Sequence, residues 1–260
     1  MIRIPPRAAS IIAVSLLALP GVLAGQASAP TPKRDLAGIW MPVKNGVQPN
    51  GARDMPADGK HEPPYTPAGL AAFKLHKPSN GTTEVGPGEE NDPGHACDPL
   101  GFPRSDLFEV RATQIVQTPS QVIVLYTYNK LWRSIWMDGR ALPQDPDPNW
   151  YGYSTGKWAD DYTLIAQTIG LDERTWVDNS GRPHSDEMKV EEIFHRAAQD
   201  SLEFTVTLND PKYYTKPWVA INKMPFTLAP PGFQFLEMMC SPSELAEYNR
   251  RHANLGNTKK

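Results

Sequence analysis

Gln114-Ile-Val-Gln117, Gln121-Val-Ile-Val-Leu-Tyr-Thr-Tyr128 and Leu131-Trp-Arg-Ser-Ile-Trp-Met137 follow one another in the middle of the chain. Each run is rich in β-branched or aromatic residues, and the turn residues Thr118-Pro-Ser120 and Asn129-Lys130 separate them. Short strands joined by such turns are typical of an antiparallel meander. This stretch therefore predicts a fold built from consecutive antiparallel strands.

The same composition recurs on both sides of the meander. Further strands are predicted at residues 36–41, 108–111, 162–168, 188–196, 202–208 and 234–239. Short helices are predicted at 66–76, where Thr66 is the N-cap and Pro67 comes first in the helix, and at 242–251, behind the capping box Ser241-Pro-Ser-Glu244. About eight antiparallel strands with few helices predict an all-β fold. We expect an antiparallel barrel of the lipocalin or calycin kind with short peripheral helices; the alternative is a β-sandwich.

The first 29 residues are predicted to be a secretory signal peptide. Arg3 and Arg7 form a basic start, residues 8–23 are largely apolar, and Ala27-Ser28-Ala29 supplies small residues for cleavage. Pro30 disfavours a cut after Ala29, so a cut after Ala27 fits at least as well. Residues 30–260 then form one barrel domain with an irregular N-terminal segment and a C-terminal helix, in a protein that is periplasmic or secreted. No other run reaches the ~18 apolar residues of a membrane helix, which predicts no membrane insertion.

The net charge and the two cysteines limit which partners, cross-links and cofactors are expected. The net charge is −3 and no basic cluster is present, which argues against a nucleic-acid partner. Cys97 and Cys240 are the two cysteines, and in an oxidising compartment they favour a disulfide over two buried free thiols. Neither belongs to a CxxC pair, so the sequence predicts no metal site, and no motif indicates a cofactor.

A carboxylate interrupts an apolar strand face at Glu192. In Met188-Lys-Val-Glu-Glu-Ile-Phe-His-Arg196, alternation places Met188, Val190 and Phe194 on one face together with Glu192. A carboxylate there costs several kcal/mol unless it is paired, hydrogen-bonded or protonated. Glu192 is therefore either a structural ion-pair partner or a site residue.

The partner of Glu192 in an ion pair must come from another strand. Arg196 lies four residues along the same strand, about 13 Å away, which is too far for direct pairing. Arg133 and Lys157 are the candidates. His195 is expected to point to the opposite face.

Two catalytic residues and six binding residues are predicted. His184 precedes the Glu192 strand, and a histidine near a carboxylate can act as a general base because its pKa lies close to neutral; it could equally hold a loop. The motif Gly152-Tyr-Ser-Thr-Gly156 matches a nucleophile elbow, but no helix follows it, so we interpret it as a turn feeding a strand. His184 and Glu192 are the predicted catalytic residues; the predicted substrate-binding residues are Asp138, Arg140, Arg196, Trp136, Trp158 and Tyr153. For Asp138-Gly-Arg140 the alternative is a tight turn in which Asp138 bonds backbone amides.

Five short sequence motifs together resemble those of a family of exported bacterial proteins. They are Trp136-Met-Asp-Gly-Arg140, Gly152-Tyr-Ser-Thr-Gly-Lys-Trp158, His184-Ser185, Glu192-Ile-Phe-His-Arg196 and Asp210-Pro-Lys-Tyr-Tyr-Thr-Lys-Pro-Trp218. The resemblance spans roughly residues 36–240 and implies export. No established mechanism comes with it, so it brings no catalytic residues.

Three hypotheses of function are compatible with these patterns. In the first, the protein binds a small apolar or aromatic molecule in a barrel cavity and acts on it by acid/base chemistry, as a lyase, isomerase or hydrolase without a cofactor. In the second, it is a periplasmic binding protein without turnover, in which Glu192 is a polar anchor. In the third, it is an envelope-interaction protein whose aromatic surface meets a partner.

Overall fold

The described part of the chain, residues 30–43, 62–86, 88–107, 112–234 and 238–252, folds around a closed barrel of nine strands in the computed structural model. Sequential strands are neighbours, and the first pairs with the last. This confirms the prediction of an all-β barrel with few short helices over that of a sandwich. The predictions for residues 1–29, 108–111 and 235–237 lie outside the described residues.

The strands follow the alternating apolar pattern of the sequence. They are β1 Gly38–Pro42, β2 Thr113–Gln117, β3 Gln121–Tyr126, β4 Trp132–Trp136, β5 Tyr153–Trp158, β6 Thr163–Ile169, β7 Lys189–Ala198, β8 Ser201–Asn209 and β9 Trp218–Leu228. In β3, Val122, Val124 and Tyr126 are buried while the residues between them are half-buried. The buried set faces the barrel interior, because successive side chains of a strand point to opposite faces.

The pairing of β4 with β5 differs from all the other strand pairs of the barrel. It is parallel and joins only Ile135 to Ser154 and Trp136 to Thr155. A parallel pair needs a crossover rather than a tight turn, and the proline-rich chain between β4 and β5 provides it. Gly156 allows the close approach here, since a Cβ on it would lie 2.8 Å from the Ile135 side chain.

Three short α-helices accompany the barrel in the described residues. They are α1 Pro67–Phe73, α2 Arg104–Leu107 and α3 Pro242–His252. The Thr66 hydroxyl accepts a hydrogen bond from the Gly69 amide at 3.1 Å, which confirms the predicted N-cap. Helix α1 is shorter than the predicted 66–76. Helix α3 begins and ends close to its predicted bounds.

The disulfide between Cys97 and Cys240 is formed. It joins the irregular segment that precedes α2 to the residue just before Ser241, with the Cα atoms 5.4 Å apart. The prediction of this pair is confirmed.

Residues 100–107, which we call the plug segment, pack into the barrel interior. Leu100, Phe102 and Leu107 belong to the buried apolar core. Arg104 is buried as well, and its guanidinium donates to both oxygens of Asp92, at 2.7 and 2.5 Å. This buried pair anchors the plug segment and holds Asp106 of α2 inside the barrel.

Candidate functional site

Glu192 lies inside the barrel, at the centre of a polar group surrounded by apolar side chains. It sits in β7 between Ala166 of β6 and Val206 of β8 and is 0 % exposed. Met188, Val190 and Phe194 are buried as well, which confirms the predicted strand face. A carboxyl in this place must be paired or protonated.

Arg133 of β4 is the ion-pair partner of Glu192. Its Nη2 contacts Glu192 Oε1, so of the two predicted candidates Arg133 is the partner and Lys157 is not. Nε of Arg133 donates to the Tyr126 hydroxyl at 2.8 Å, and Nη1 donates to Ser154 Oγ at 3.2 Å. The guanidinium carbon also lies 4.1 Å from the centre of the Phe102 ring in the plug segment. These contacts fix the orientation of the arginine.

Ser154 extends the network to a further strand. Its hydroxyl lies 2.7 Å from that of Thr168 in β6. Ser154 is a buried residue of β5, with strand on both sides, which agrees with the interpretation of the Gly152–Gly156 motif as a turn and strand. The polar network thus runs around the barrel wall from β3 to β7.

Asp106 brings a second carboxyl to this network. Its side chain is 5 % exposed, and Oδ2 lies 3.8 Å from Nη2 of Arg133. Asp106 Oδ2 and Glu192 Oε2 are both buried, and neither has a hydrogen-bond donor among the described residues. A proton shared between the two carboxyls would let one donate to the other, because a protonated carboxyl can donate to an ionised one.

The electrostatics of the site favour retention of that proton. Burial raises the pKa of Glu192 to about 8; the positive charge of Arg133 opposes this rise, and the negative charge of Asp106 and a side-chain hydrogen bond to it add to it. Burial likewise raises the pKa of the Tyr126 phenol well above its usual range. Burial lowers the pKa of Arg133, but the charges of Glu192, Tyr126 and Asp106 outweigh it and raise the pKa overall. The raised pKa of Glu192 therefore favours a protonated carboxyl beside the Arg133 guanidinium.

A small cavity adjoins Asp106, one member of the carboxyl pair. Its volume is about 40 Å³, room for at most a few water molecules. Aromatic rings form much of its wall: Phe194 and Phe204 have centroids 4.8 Å apart, and Phe226 meets Phe204 edge-on at 6.2 Å. The other lining residues are Trp40, Ser105, Asp106, Thr113, Ile115, Val124 and Leu202.

The plug segment contributes two polar residues to the cavity lining. Ser105 Oγ is buried without a hydrogen-bond partner among the described residues, as is Asp106 Oδ2. Buried polar atoms that lack a partner beside a space of this size are the usual setting of a bound water or a small polar ligand.

His184 belongs to a different cluster from Glu192. Its Nε2 lies 2.7 Å from the Thr175 hydroxyl and its Nδ1 lies 3.1 Å from the Ser185 carbonyl oxygen. Burial lowers its pKa, which favours the neutral ring. Ser185 in turn donates from its amide and hydroxyl to Asp210, at 2.6 and 2.8 Å. These contacts position the loop before β7, and none of them brings the His184 ring to the carboxyl pair, so its catalytic role stays a prediction.

Arg196 joins the end of β7 to the segment that precedes β1. It is buried and donates to the backbone carbonyls of Asp35, at 2.7 Å, and Gln199, at 3.2 and 2.5 Å. Its guanidinium lies 5.2 Å from the centre of the Trp40 ring, which lines the cavity. Arg196 does not pair with Glu192, as its spacing predicted. His195 contacts Thr163 on the other side of β7, at 3.0 Å.

Three predicted binding residues group at the outer end of β4. The Arg140 guanidinium holds the pKa of the exposed Asp138 carboxyl below its usual range through a side-chain hydrogen bond. The same guanidinium stacks on Trp136, 3.5 Å from the ring centre. All three are partly or fully exposed, away from the interior network.

The remaining two predicted binding residues lie apart from each other. The Tyr153 hydroxyl donates to the Asp147 carbonyl at 3.2 Å and so contacts the proline-rich crossover. Trp158, at the other end of β5, packs against the apolar core. Of the predicted site residues, Glu192 alone lies in the carboxyl pair.

Sequence reasoning missed Asp106, Tyr126 and Thr168 as members of the network. Tyr126 and Thr168 carry a weak signal, because alternation along β3 and β6 points them inward. Asp106 also carries a weak signal, because it is an acidic residue between the apolar residues Phe102 and Leu107. Nothing in the sequence, however, indicates that Asp106 meets Glu192.

The described residues include no group of three or more His, Cys, Asp or Glu side chains arranged to hold a metal ion. Their helices are all too short or too polar to cross a bilayer.

The chain was compared with known proteins in three ways. A scan against protein-family models, a search of curated proteins and a search of solved structures each found no match.

Proposed function

We propose that this is an exported protein that binds a small molecule in the interior of its barrel, and that the Glu192–Asp106 pair exchanges a proton with that molecule. Export is supported by the basic and apolar start of the chain and by the Cys97–Cys240 disulfide, since disulfides persist in oxidising compartments. Resemblance to exported bacterial proteins points the same way.

One observation carries the proposal of a binding site. The aromatic-lined cavity adjoins Ser105 Oγ, a buried oxygen that lacks a hydrogen-bond partner among the described residues, and Asp106 Oδ2, for which the shared proton is the only donor proposed. A buried polar atom without a partner costs about 1–3 kcal/mol. A ligand with a polar head and a small apolar body would remove that cost and fill the space.

The acid/base part of the proposal rests on the carboxyl pair. A general acid or base works best when its pKa lies near the working pH. Burial and Asp106 bring the pKa of Glu192 to about 8, against the opposing effect of Arg133. Two carboxyls that share one proton can donate or accept it with little rearrangement, which suits a lyase, isomerase or hydrolase step that needs proton transfer.

Binding without turnover is the second candidate function. It is favoured by the contacts of Arg133, each of whose three nitrogens already donates to a neighbour: Nε to Tyr126, Nη1 to Ser154 and Nη2 to Glu192. An arginine held in this way anchors the barrel and is not available to stabilise charge on a substrate.

Filling the cavity tests the site. Ile115 lines the cavity, and its neighbour Val116 points outwards from the same strand. We expect Ile115→Phe to abolish the stabilisation of the protein by small ligands in a thermal-shift screen, and Val116→Phe to leave it intact. Equal ligand responses in both variants and the wild type would place binding elsewhere and refute the proposal.

Glu192→Gln separates the two functions once a ligand is found. An acid/base enzyme loses turnover in this variant while it keeps binding, because Gln cannot give up a proton. A binding protein shows no turnover in either form.

A further inference from the structure

We infer that the cavity takes a small organic ammonium ion in exchange for the proton held between Glu192 and Asp106. The inference rests on the proposed function, because it names the class of molecule that the proposed interior site binds. It follows from the hydrogen-bonding atoms of the cavity, from its aromatic wall and from the charges around it.

The polar atoms of the cavity call for a donor. No described residue donates to Asp106 Oδ2, so this buried oxygen can accept from a ligand once the shared proton leaves, and Ser105 Oγ, which also lacks a partner among those residues, can accept as well. A primary ammonium group has three N–H donors and no acceptor, as lysine does. It can therefore donate to both oxygens at once.

The wall of the cavity suits the body of such a cation. Phe194, Phe204 and Phe226 line one connected region of it. Aromatic faces attract cations, and cages of aromatic rings are a known means of recognising ammonium groups. The volume of about 40 Å³ limits the ligand to a few non-hydrogen atoms.

With an ammonium ion bound, the charges of the site balance only if the proton shared by Glu192 and Asp106 leaves. Without ligand, the positive charge of Arg133 is matched by the single negative charge of the Glu192–Asp106 pair. An ammonium that entered this site unchanged would leave one buried positive charge in excess, which a low-dielectric interior disfavours. If the shared proton passes to solvent, two carboxylates face two cations, Arg133 and the ligand, and the site is neutral again.

The other groups around the pair allow this exchange. Among the described residues, the charged or titratable side chains that face Glu192 are Arg133 from β4, Asp106 from α2 and Tyr126 from β3. The neighbouring residues of β6 and β8, Ala166 and Val206, carry no charge. Tyr126 stays neutral, because burial holds the pKa of its phenol well above the usual range.

Calorimetric titration with matched ligands tests the exchange. Ethylammonium and ethanol have the same size and differ in charge, and titration in two buffers of different ionisation enthalpy counts the protons released. We expect ethylammonium to bind at least about tenfold tighter than ethanol, with about one proton released per ion bound near neutral pH. Its affinity should rise about tenfold per pH unit while the pair holds its proton.

Variants distinguish the exchange from binding alone. Glu192→Gln leaves a single ionisable carboxyl, so the proton release and the pH dependence should both disappear; Asp106→Asn makes the same test if the Gln variant does not fold. Equal affinity for ethanol and ethylammonium, or no proton release in the wild type, would overturn the inference. If Ile115→Phe blocks ethanol and ethylammonium alike while the wild type prefers neither, the proposed function stands and the inference fails. Binding that persists in Ile115→Phe refutes both.

Discussion

Replacing Glu192 with Gln should change how the stability of the protein depends on pH. Glutamine has nearly the shape of glutamic acid and can keep contacts with both Arg133 and Asp106. Unlike Glu192, it cannot ionise. A comparison of the two proteins therefore separates the ionisation of Glu192 and the groups coupled to it from the titrations elsewhere in the protein.

Because its pKa is raised in the folded protein, Glu192 contributes less stability as the pH rises. Burial, together with Asp106 and against Arg133, raises the pKa of Glu192 from 4.5 to about 8 in the folded protein. Between these values the unfolded chain has released the proton and the folded chain has kept it. Stability contributed by this group is therefore fully present below about pH 4.5 and is lost as the pH rises towards 8. Each unit of pKa shift corresponds to about 1.4 kcal/mol, which sets an upper limit on the order of 5 kcal/mol.

Chemical denaturation of both proteins between about pH 5 and 9 measures the effect. We expect the free energy of unfolding of the wild type to fall relative to that of Glu192→Gln across this interval. Burial lowers the pKa of His184, which acts in the opposite sense at the acid end, but this contribution is common to both proteins and cancels in the difference. Parallel stability profiles, or a wild type that gains stability relative to the variant as the pH rises, would refute the shared-proton arrangement.

Three further predictions concern the ion pairs, the disulfide and the buried histidine. Arg133→Leu should destabilise the fold by about 3–5 kcal/mol in denaturant titrations, because it leaves a buried carboxyl pair without its cation. As a control, Arg140→Leu breaks a solvent-exposed ion pair and should leave the midpoint of denaturation almost unchanged. Reduction of Cys97–Cys240 should lower the unfolding free energy by about 2–4 kcal/mol, since it releases a long loop, and a Cys97→Ser/Cys240→Ser double variant should show the same loss without reductant. His184→Gln should reduce the loss of unfolding free energy on acidification below about pH 6.5, because a histidine that is neutral when buried gains a proton when the protein unfolds. The same loss of stability at acid pH in the variant and the wild type would contradict this.

The barrel and its inward-facing residues could be predicted because local patterns encode them. Alternation along residues 121–126 and 188–196 shows which side chains face the core, and this alone places Glu192 on the inward face of its strand. The cap at Thr66 and the cysteine pair likewise depend on short-range chemistry or on a simple count. These features need no knowledge of which strands meet.

The other half of the site could not be predicted because it depends on long-range contacts. Asp106 lies in a four-residue helix within an irregular stretch, where no periodicity tells which way a side chain points. Arg133 and Glu192 meet across the interior, and their register depends on the short parallel pairing of β4 with β5. Nearness in sequence to Glu192 makes His184 a candidate, whereas the fold gives it Thr175 and Ser185 as partners.

The pairing of β1 with β9 has a kinetic consequence. The first and last strands complete the barrel, so the interior is sealed only when almost the whole chain is in place. All-β barrels, which are rich in non-local contacts, fold in about milliseconds to seconds. Until closure, water can reach Arg133 and Glu192, so we expect their pair to form late. Contacts that are absent from the folding transition state slow unfolding more than they speed folding; the buried network should therefore act mainly to keep a finished barrel from opening.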